Sequence, residues 1–294
     1  MKGDKIMGVL WIIIAVFLCI FLVGKLKNRT TPQQLFHFSS SNITGLAPLS
    51  ETKNFDVKSI DSIDINVLDE SVVLEKTNGS EIIVELYCSP ENKPTIATVQ
   101  RTLKITEQKP KNIISLGRKI VVKIPASFDA SDIDVKTASG SIHMSDSNFN
   151  NVDCRSASGS INFTNCNFEN LDLKSQSGSI NLSATKANEL DCHSTSGSIH
   201  LDGSFDQMDV NAVSGSIHAN ITNKISGHSS IQSTSGSINL NIPKTTDATI
   251  NYSVTSGSYS NDITGTKGKI GTDRLGNGSA SLNLRSVSGS IRIH

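Results

Sequence analysis

From Phe55 onward, apolar and polar residues alternate with a period of two, and β-branched residues carry much of the alternation. Ile63, Ile65 and Val67 are separated by Asp64 and Asn66; Glu81–Tyr87 and the runs ending at Ile105 and Ile124 follow the same rule. This is the pattern of half-buried strands, and it predicts an all-β chain. From residue 131 the alternation is itself repeated. Ser-Gly-Ser-Ile recurs around Gly140, Gly159, Gly178, Gly197, Gly215, Gly236 and Gly289, and Gly257 has Tyr259 in place of the isoleucine. Successive glycines are 19, 19, 19, 18, 21, 21 and 32 residues apart. A period near 20 predicts one coil of a parallel β-solenoid per repeat. Residues 51–130, which lack the repeat, are read as irregular coils that cap it.

Within a coil the faces can be assigned. Leu171, Leu173, Ile180 and Leu182 fall on one side and Asp172, Lys174 and Asn181 on the other. The inward set recurs as Val152, Cys154, Ile161, Phe163 and as Leu190, Cys192, Ile199, Leu201, with Phe149, Phe168, Ala187 and Phe205 on a third side. A strand that bends sharply at Ser-Gly-Ser is expected to place its glycine at positive φ, where a Cβ is penalised. The flanking serines are expected to bond nearby backbone and one another. A Gly-rich insertion at 261–280 predicts a loop or hairpin. The coil Leu282–Ile293 then restores every column, and no polar cap follows His294. An uncovered final strand there offers a route to self-association.

The N-terminus is of another kind. After a short flank, 1–6, the 18 residues Met7–Gly24 contain no charge. That length is near the lower limit of a membrane span and predicts a transmembrane helix over 7–24. The rival is a secretory signal, but no small-x-small cleavage site follows and the chain continues into Lys25-Leu26-Lys27. Residues 25–50, polar with Pro and Gly, form a linker. Two lysines precede the span and three cations follow it closely, too even a division to fix the side on which the solenoid lies.

Charge and cysteines narrow the classes further. Lys plus Arg and Asp plus Glu are 27 each, so no basic field points to nucleic acid. Among five cysteines, Cys19 lies in the apolar run. Cys154 and Cys192 share an apolar column two coils apart, about 10 Å from coil spacing, too far for a disulfide. Cys88 and Cys166 have no evident partner, and no Cys-x-x-Cys occurs to suggest zinc or redox chemistry.

The early strands, the segment Arg118–Pro125, the Ser-Gly-Ser-Ile corners and the Gly-rich stretch before Leu284–Ile291 resemble an uncharacterised bacterial family of adhesin-like, cell-envelope proteins with a β-strand-repeat domain. The resemblance covers about residues 55 to 294. It implies a non-enzymatic module and carries no catalytic residues.

The most suggestive constellation is an outward carboxylate column, Asp134, Asp153, Asp172, Asp191 and Asp209, flanked two residues on by Lys136, Arg155, Lys174 and His193. A cation strip is one reading; a ladder of acids neutralised by neighbouring cations is the preferred one. His143, His200 and His218 share a second polar column with Asn162 and Asn181, short of a third metal ligand. Catalysis on a polysaccharide would need acids converging in a groove with stacking aromatics; here the acids lie in a line. The sequence therefore predicts a membrane-anchored β-solenoid without cofactor, displayed outside the cell as a binding, sensing or adhesion module. Its candidate face is Asp153, Arg155, Asp172, Lys174 and Asp191, and its expected partner is an envelope polymer or protein. The alternatives are a cytoplasmic, membrane-tethered polymerising scaffold like the bactofilins and, below it, a polysaccharide-active enzyme.

Overall fold

The structure is a computed structural model and describes residues 47–107, 117–128 and 132–294. Its repeats stack as parallel strands in register. Asn148–Ser156 lies between Asp132–Thr137 and Asn167–Ser175, so Cys154 stands opposite Val135 and Leu173, and Asp153 opposite Asp134 and Asp172. After the corner, Ile161 stands opposite Ile142 and Ile180. A one-residue slip would turn every apolar side chain outward, so the alternation fixes this register. Val152, Cys154, Ile161, Phe163 and their neighbours Leu171, Leu173, Ile180 and Leu182 are at most 3% exposed. Phe149, Phe168, Ala187 and Phe205 line up on the third side as expected. The sheet is open and continuous, an all-β solenoid.

The corner glycines are needed for a different reason from the one expected. Only Gly257 lies in the left-handed region, at φ 145°; the other seven do not have positive φ. What they share is clearance. A Cβ on Gly159 would lie 1.9 Å from the carbonyl oxygen of Gly140, and one on Gly178 2.0 Å from that of Gly159. Each coil rests its corner on the backbone of the coil below. The side chain three residues earlier holds that contact: Ser156 Oγ accepts from the Gly159 N–H (2.8 Å) and donates to the Gly140 carbonyl (3.0 Å). Ser233 does the same for Gly236 and Gly215. The flanking serines also bond across coils, the Ser160 N–H donating to Ser141 Oγ.

A second bend does use left-handed backbone, at Asp146 (φ 51°), Asn165 (φ 55°) and Ala184 (φ 48°). Asp and Asn tolerate this region. They also bond to each other, Asn165 Nδ2 donating to Asp146 Oδ1 at 2.6 Å. Alanine has neither advantage. Ala184→Asn, which relieves the strain and extends the ladder, is expected to stabilise the fold by about 0.5–1 kcal/mol. A melting temperature at or below that of the wild type would contradict this account of the bend.

Both ends are closed by antiparallel strands. At the N-terminal end, Ser62–Val67 and Ser71–Thr77 stack on the coil 132–145, and Thr102–Thr106 and Lys119–Pro125 stack on them. Leu49–Asp56, Glu81–Tyr87 and Thr95–Val99 then add antiparallel.

At the other end the coils do not stack in sequence order. His228–Ser233 pairs with Ala280–Ser288, which pairs in turn with Ala248–Ser256. Ile291–Ile293 likewise lies between Ile238–Asn241 and Tyr259–Asn261. The corner contacts give the same order, Gly289 over Gly236 and Gly257 over Gly289. The last coil in sequence is therefore the penultimate coil in space. The Gly-rich insertion covers the end, with Ile270–Leu275 and Lys267–Gly268 pairing antiparallel to the outer coil. Asp273 pins it, accepting hydrogen bonds from Tyr259, Asn261, Thr264 and Thr266. The final strand Ile291–Ile293 is paired on both sides, so it does not present the uncovered edge expected there.

Among the described residues no helix is long and apolar enough to cross a membrane. The expected span, residues 7–24, lies outside them.

A candidate binding face on the stacked coils

Parallel register turns each outward sequence position into a row. Asp134, Asp153, Asp172, Asp191 and Asp209 form one such row. Asp64 joins it beside Asp134, which sequence reasoning missed because its coil lacks the Ser-Gly-Ser corner. The run Ile63-Asp64-Ile65, set against Ile133-Asp134-Val135, carried the signal.

Three of the acids are paired with a cation along their own strand, and Asp64 is paired with Lys104 of the neighbouring strand at 3.3 Å. Lys136 Nζ reaches Asp134 Oδ2 at 2.8 Å, Arg155 reaches Asp153 at 2.6 Å and Lys174 reaches Asp172 at 2.7 Å. Arg155 also leans to Asp172 of the next coil, at 3.7 Å. These groups are roughly a third to a half exposed, so each pair contributes little to stability. The second oxygens, Oδ1 of Asp134, Asp153 and Asp172, turn away from the cations into buried positions without a hydrogen-bond partner. Burial, followed by the charge of Asp172, raises the Asp153 carboxyl above its usual range; burial does the same for Asp191.

The cations therefore form a ridge with a shallow groove on each side. One groove, of about 640 Å³, runs along Lys136, Arg155, Lys174 and His193 to the corner residues. The other, of about 340 Å³, runs between the aspartate row and the row Asp132, Asn151, Asn170 and Glu189. Asn ladders stiffen its far wall, Asn170 Nδ2 donating to Asn151 Oδ1 at 2.8 Å. Asp153, Arg155, Asp172, Lys174 and Asp191 are brought together as one continuous surface.

The histidine row also forms, but His200 and His218 stack face to face, ring centres 5.2 Å apart and planes 6° from parallel. That arrangement does not converge two ring nitrogens on one ion. Burial, then the neighbouring His218, lowers the His200 pKa. Cys88, Cys154, Cys166 and Cys192 are buried free thiols. Burial pushes the thiols of Cys154, Cys166 and Cys192 up, which makes them poor nucleophiles.

The fold is shared with known structures. A protein from Bacteroides fragilis described as a "putative adhesin" is 16% identical, with 83% of this chain and 96% of that chain covered and a TM-score of 0.53. A "putative lipid binding protein" from Parabacteroides distasonis is 18% identical over the same shares, also with a TM-score of 0.53. At such identities the likeness is one of architecture, and the two descriptions differ in the function they name. No curated protein matches the chain. The Toastrack DUF4097 family matches residues 60–294, the whole stack from its first inward isoleucine to its last residue, and the chain belongs to that family.

Proposed function

We propose that this protein is a non-enzymatic binding module of the bacterial envelope, held by an anchor at residues 7–24 and displayed outside the cell. The observation that carries the reading is the acid–cation face. It repeats at the coil spacing of about 4.8 Å over six successive acids and offers grooves rather than an enclosed pocket. A periodic surface of this kind suits an extended partner, such as a wall polymer or a stretch of protein, better than a small metabolite. Asp64, Asp134, Asp153 and Asp172 are engaged by neighbouring cations and all six acids lie in a line, which favours recognition over general acid–base catalysis. The antiparallel strands at both ends speak against the alternative of a scaffold that grows by end-to-end stacking.

Two measurements test this. In intact cells, protease added outside is expected to degrade the solenoid of the full-length protein; protection until lysis would place it in the cytoplasm and end the display reading. Arg155→Glu with Lys174→Glu is expected to weaken binding to envelope fractions about tenfold or more by reversing the ridge while leaving the core untouched. Unchanged binding would move the partner off this face.

A further inference from the structure

The column of corner glycines ends in charge. One coil beyond Gly140 the corner is held by Glu70, whose carbonyl oxygen is the atom a Cβ on Gly140 would strike. One coil further, Arg118 stands beside Glu70, just ahead of the paired residues Ser71 and Lys119. The Arg118 and Glu70 side chains are 0% and 1% exposed, and Glu107, at the end of the strand Thr102–Thr106, is 1% exposed. The guanidinium contacts Asp69, Glu70 and Glu107 and donates to the Asn92 carbonyl at 2.6 Å. Four separate chain segments meet at this one cation.

Among the described residues the charges do not balance. Three carboxylates face one guanidinium, and among the described residues no second cation is paired with them. Asp69 is 40% exposed and meets water. Glu70 and Glu107 do not, and burying two ionised carboxylates against one cation is costly for the unmatched charge. Glu107 Oε2 already accepts from the Leu68 N–H at 2.8 Å. Glu70 Oε2 is buried with no hydrogen-bond partner. Carboxylate oxygens of Asp69, Glu70 and Glu107 converge within 4.8 Å of one another. An oxygen without a donor, among acids crowded on one cation, lacks a positive particle. A proton fits best, because the guanidinium already occupies the position a metal ion would take.

We propose that Glu70 and Glu107 share one proton in the folded protein, and that this proton is the latch that closes the N-terminal end of the solenoid. It joins the corner at Glu70 to the ends of two outer strands and to the turn at Asn92. Burial, then Glu107, push the Glu70 carboxyl up to about 8, against the opposing pull of Arg118. A carboxyl raised on folding contributes its full stability below the unfolded value, near 4.5, and loses it as pH rises toward 8. The proton thus stays bound in the folded protein through neutrality and leaves in mild alkali, while the stability it contributes declines across the whole interval.

Proton release on thermal unfolding, measured by calorimetry of the full chain in buffers of different ionisation heat, tests the proposal. At about pH 6.5 the wild type is expected to release about one more proton than Glu70→Gln, whose amide makes the shared hydrogen bond without titrating. The melting temperature of the wild type should fall more between about pH 5.5 and 8.5 than that of Glu70→Gln. Glu107→Gln should behave like Glu70→Gln and is the substitute if that variant does not fold. Equal proton release in wild type and variant would overturn the proposal by showing both acids ionised. So would stabilisation by calcium or magnesium at neutral pH that either variant abolishes, since the cluster would then hold a metal ion. If neither variant folds, wild-type unfolding without proton release is enough to reject the latch.

Discussion

Gly178→Ala is expected to destabilise the solenoid by about 3 kcal/mol or more, although it adds a single methyl group. The new Cβ would sit 2.0 Å from the carbonyl oxygen and 2.4 Å from the carbonyl carbon of Gly159. Both are backbone atoms of a packed coil, so no side chain can swing aside. The coils must separate, which strains the ladder and the Ser175 bonds to Gly178 and Gly159 at 2.9 and 3.4 Å. Overpacking of this kind reaches the upper end of its usual range when the obstacle is backbone. Gly79 provides the control, because a Cβ there meets only the Thr77 side chain at 3.6 Å, an ordinary contact. Gly79→Ala should change stability by no more than about 0.5 kcal/mol. A Gly178→Ala protein that melts with the wild type would show that the corners do not rest on one another.

That glycine shows what could and could not be read from sequence. The position was legible, because a residue recurring every coil beside β-branched neighbours marks a corner. Its reason was not, since positive φ and lack of clearance demand the same residue. The inward columns, the aspartate row and the paired cations were legible for a related cause. A period of two within strands and about 20 between them leaves one register that buries Val152, Leu171 and Leu190 together. The Glu70–Glu107–Arg118 cluster was hidden by sequence distance, its members 11 to 48 residues apart with no common motif. Coil order was hidden for a subtler reason: in-register parallel columns look the same whichever coil is stacked next. One residue did mark the outer coil. Tyr259, in place of the usual isoleucine, stacks on Tyr252 at 3.8 Å and donates to Asp273 in the covering hairpin at 2.9 Å.

Removing residues 280–294 is therefore expected to unfold far more than a terminal coil. Chain ends are usually the parts a domain can lose. Here the last fifteen residues fill the space between the coil 228–241 and the coil 248–261. Leu282, Leu284, Ile291 and Ile293 are all at most 1% exposed. At about 2 kcal/mol for each buried side chain, their loss removes on the order of 8 kcal/mol, comparable to the stability of a whole domain. The coil 248–261 and its hairpin would lose the surface on which they stack, and the strands His228–Ser233 and Ile238–Asn241 would each gain an open edge. The truncated protein should aggregate, or show rapid proteolysis from about residue 228 onward. Cysteine pairs give a milder test of the same order. Ser230 and Asn283 are register partners on adjacent coils, within reach of a disulfide, whereas Ser230 and Asn251 are two coils apart at roughly 10 Å. A Ser230→Cys, Asn283→Cys protein should oxidise readily and a Ser230→Cys, Asn251→Cys protein should not; the reverse result would restore sequence order to the stack and return an open edge to Ile291–His294.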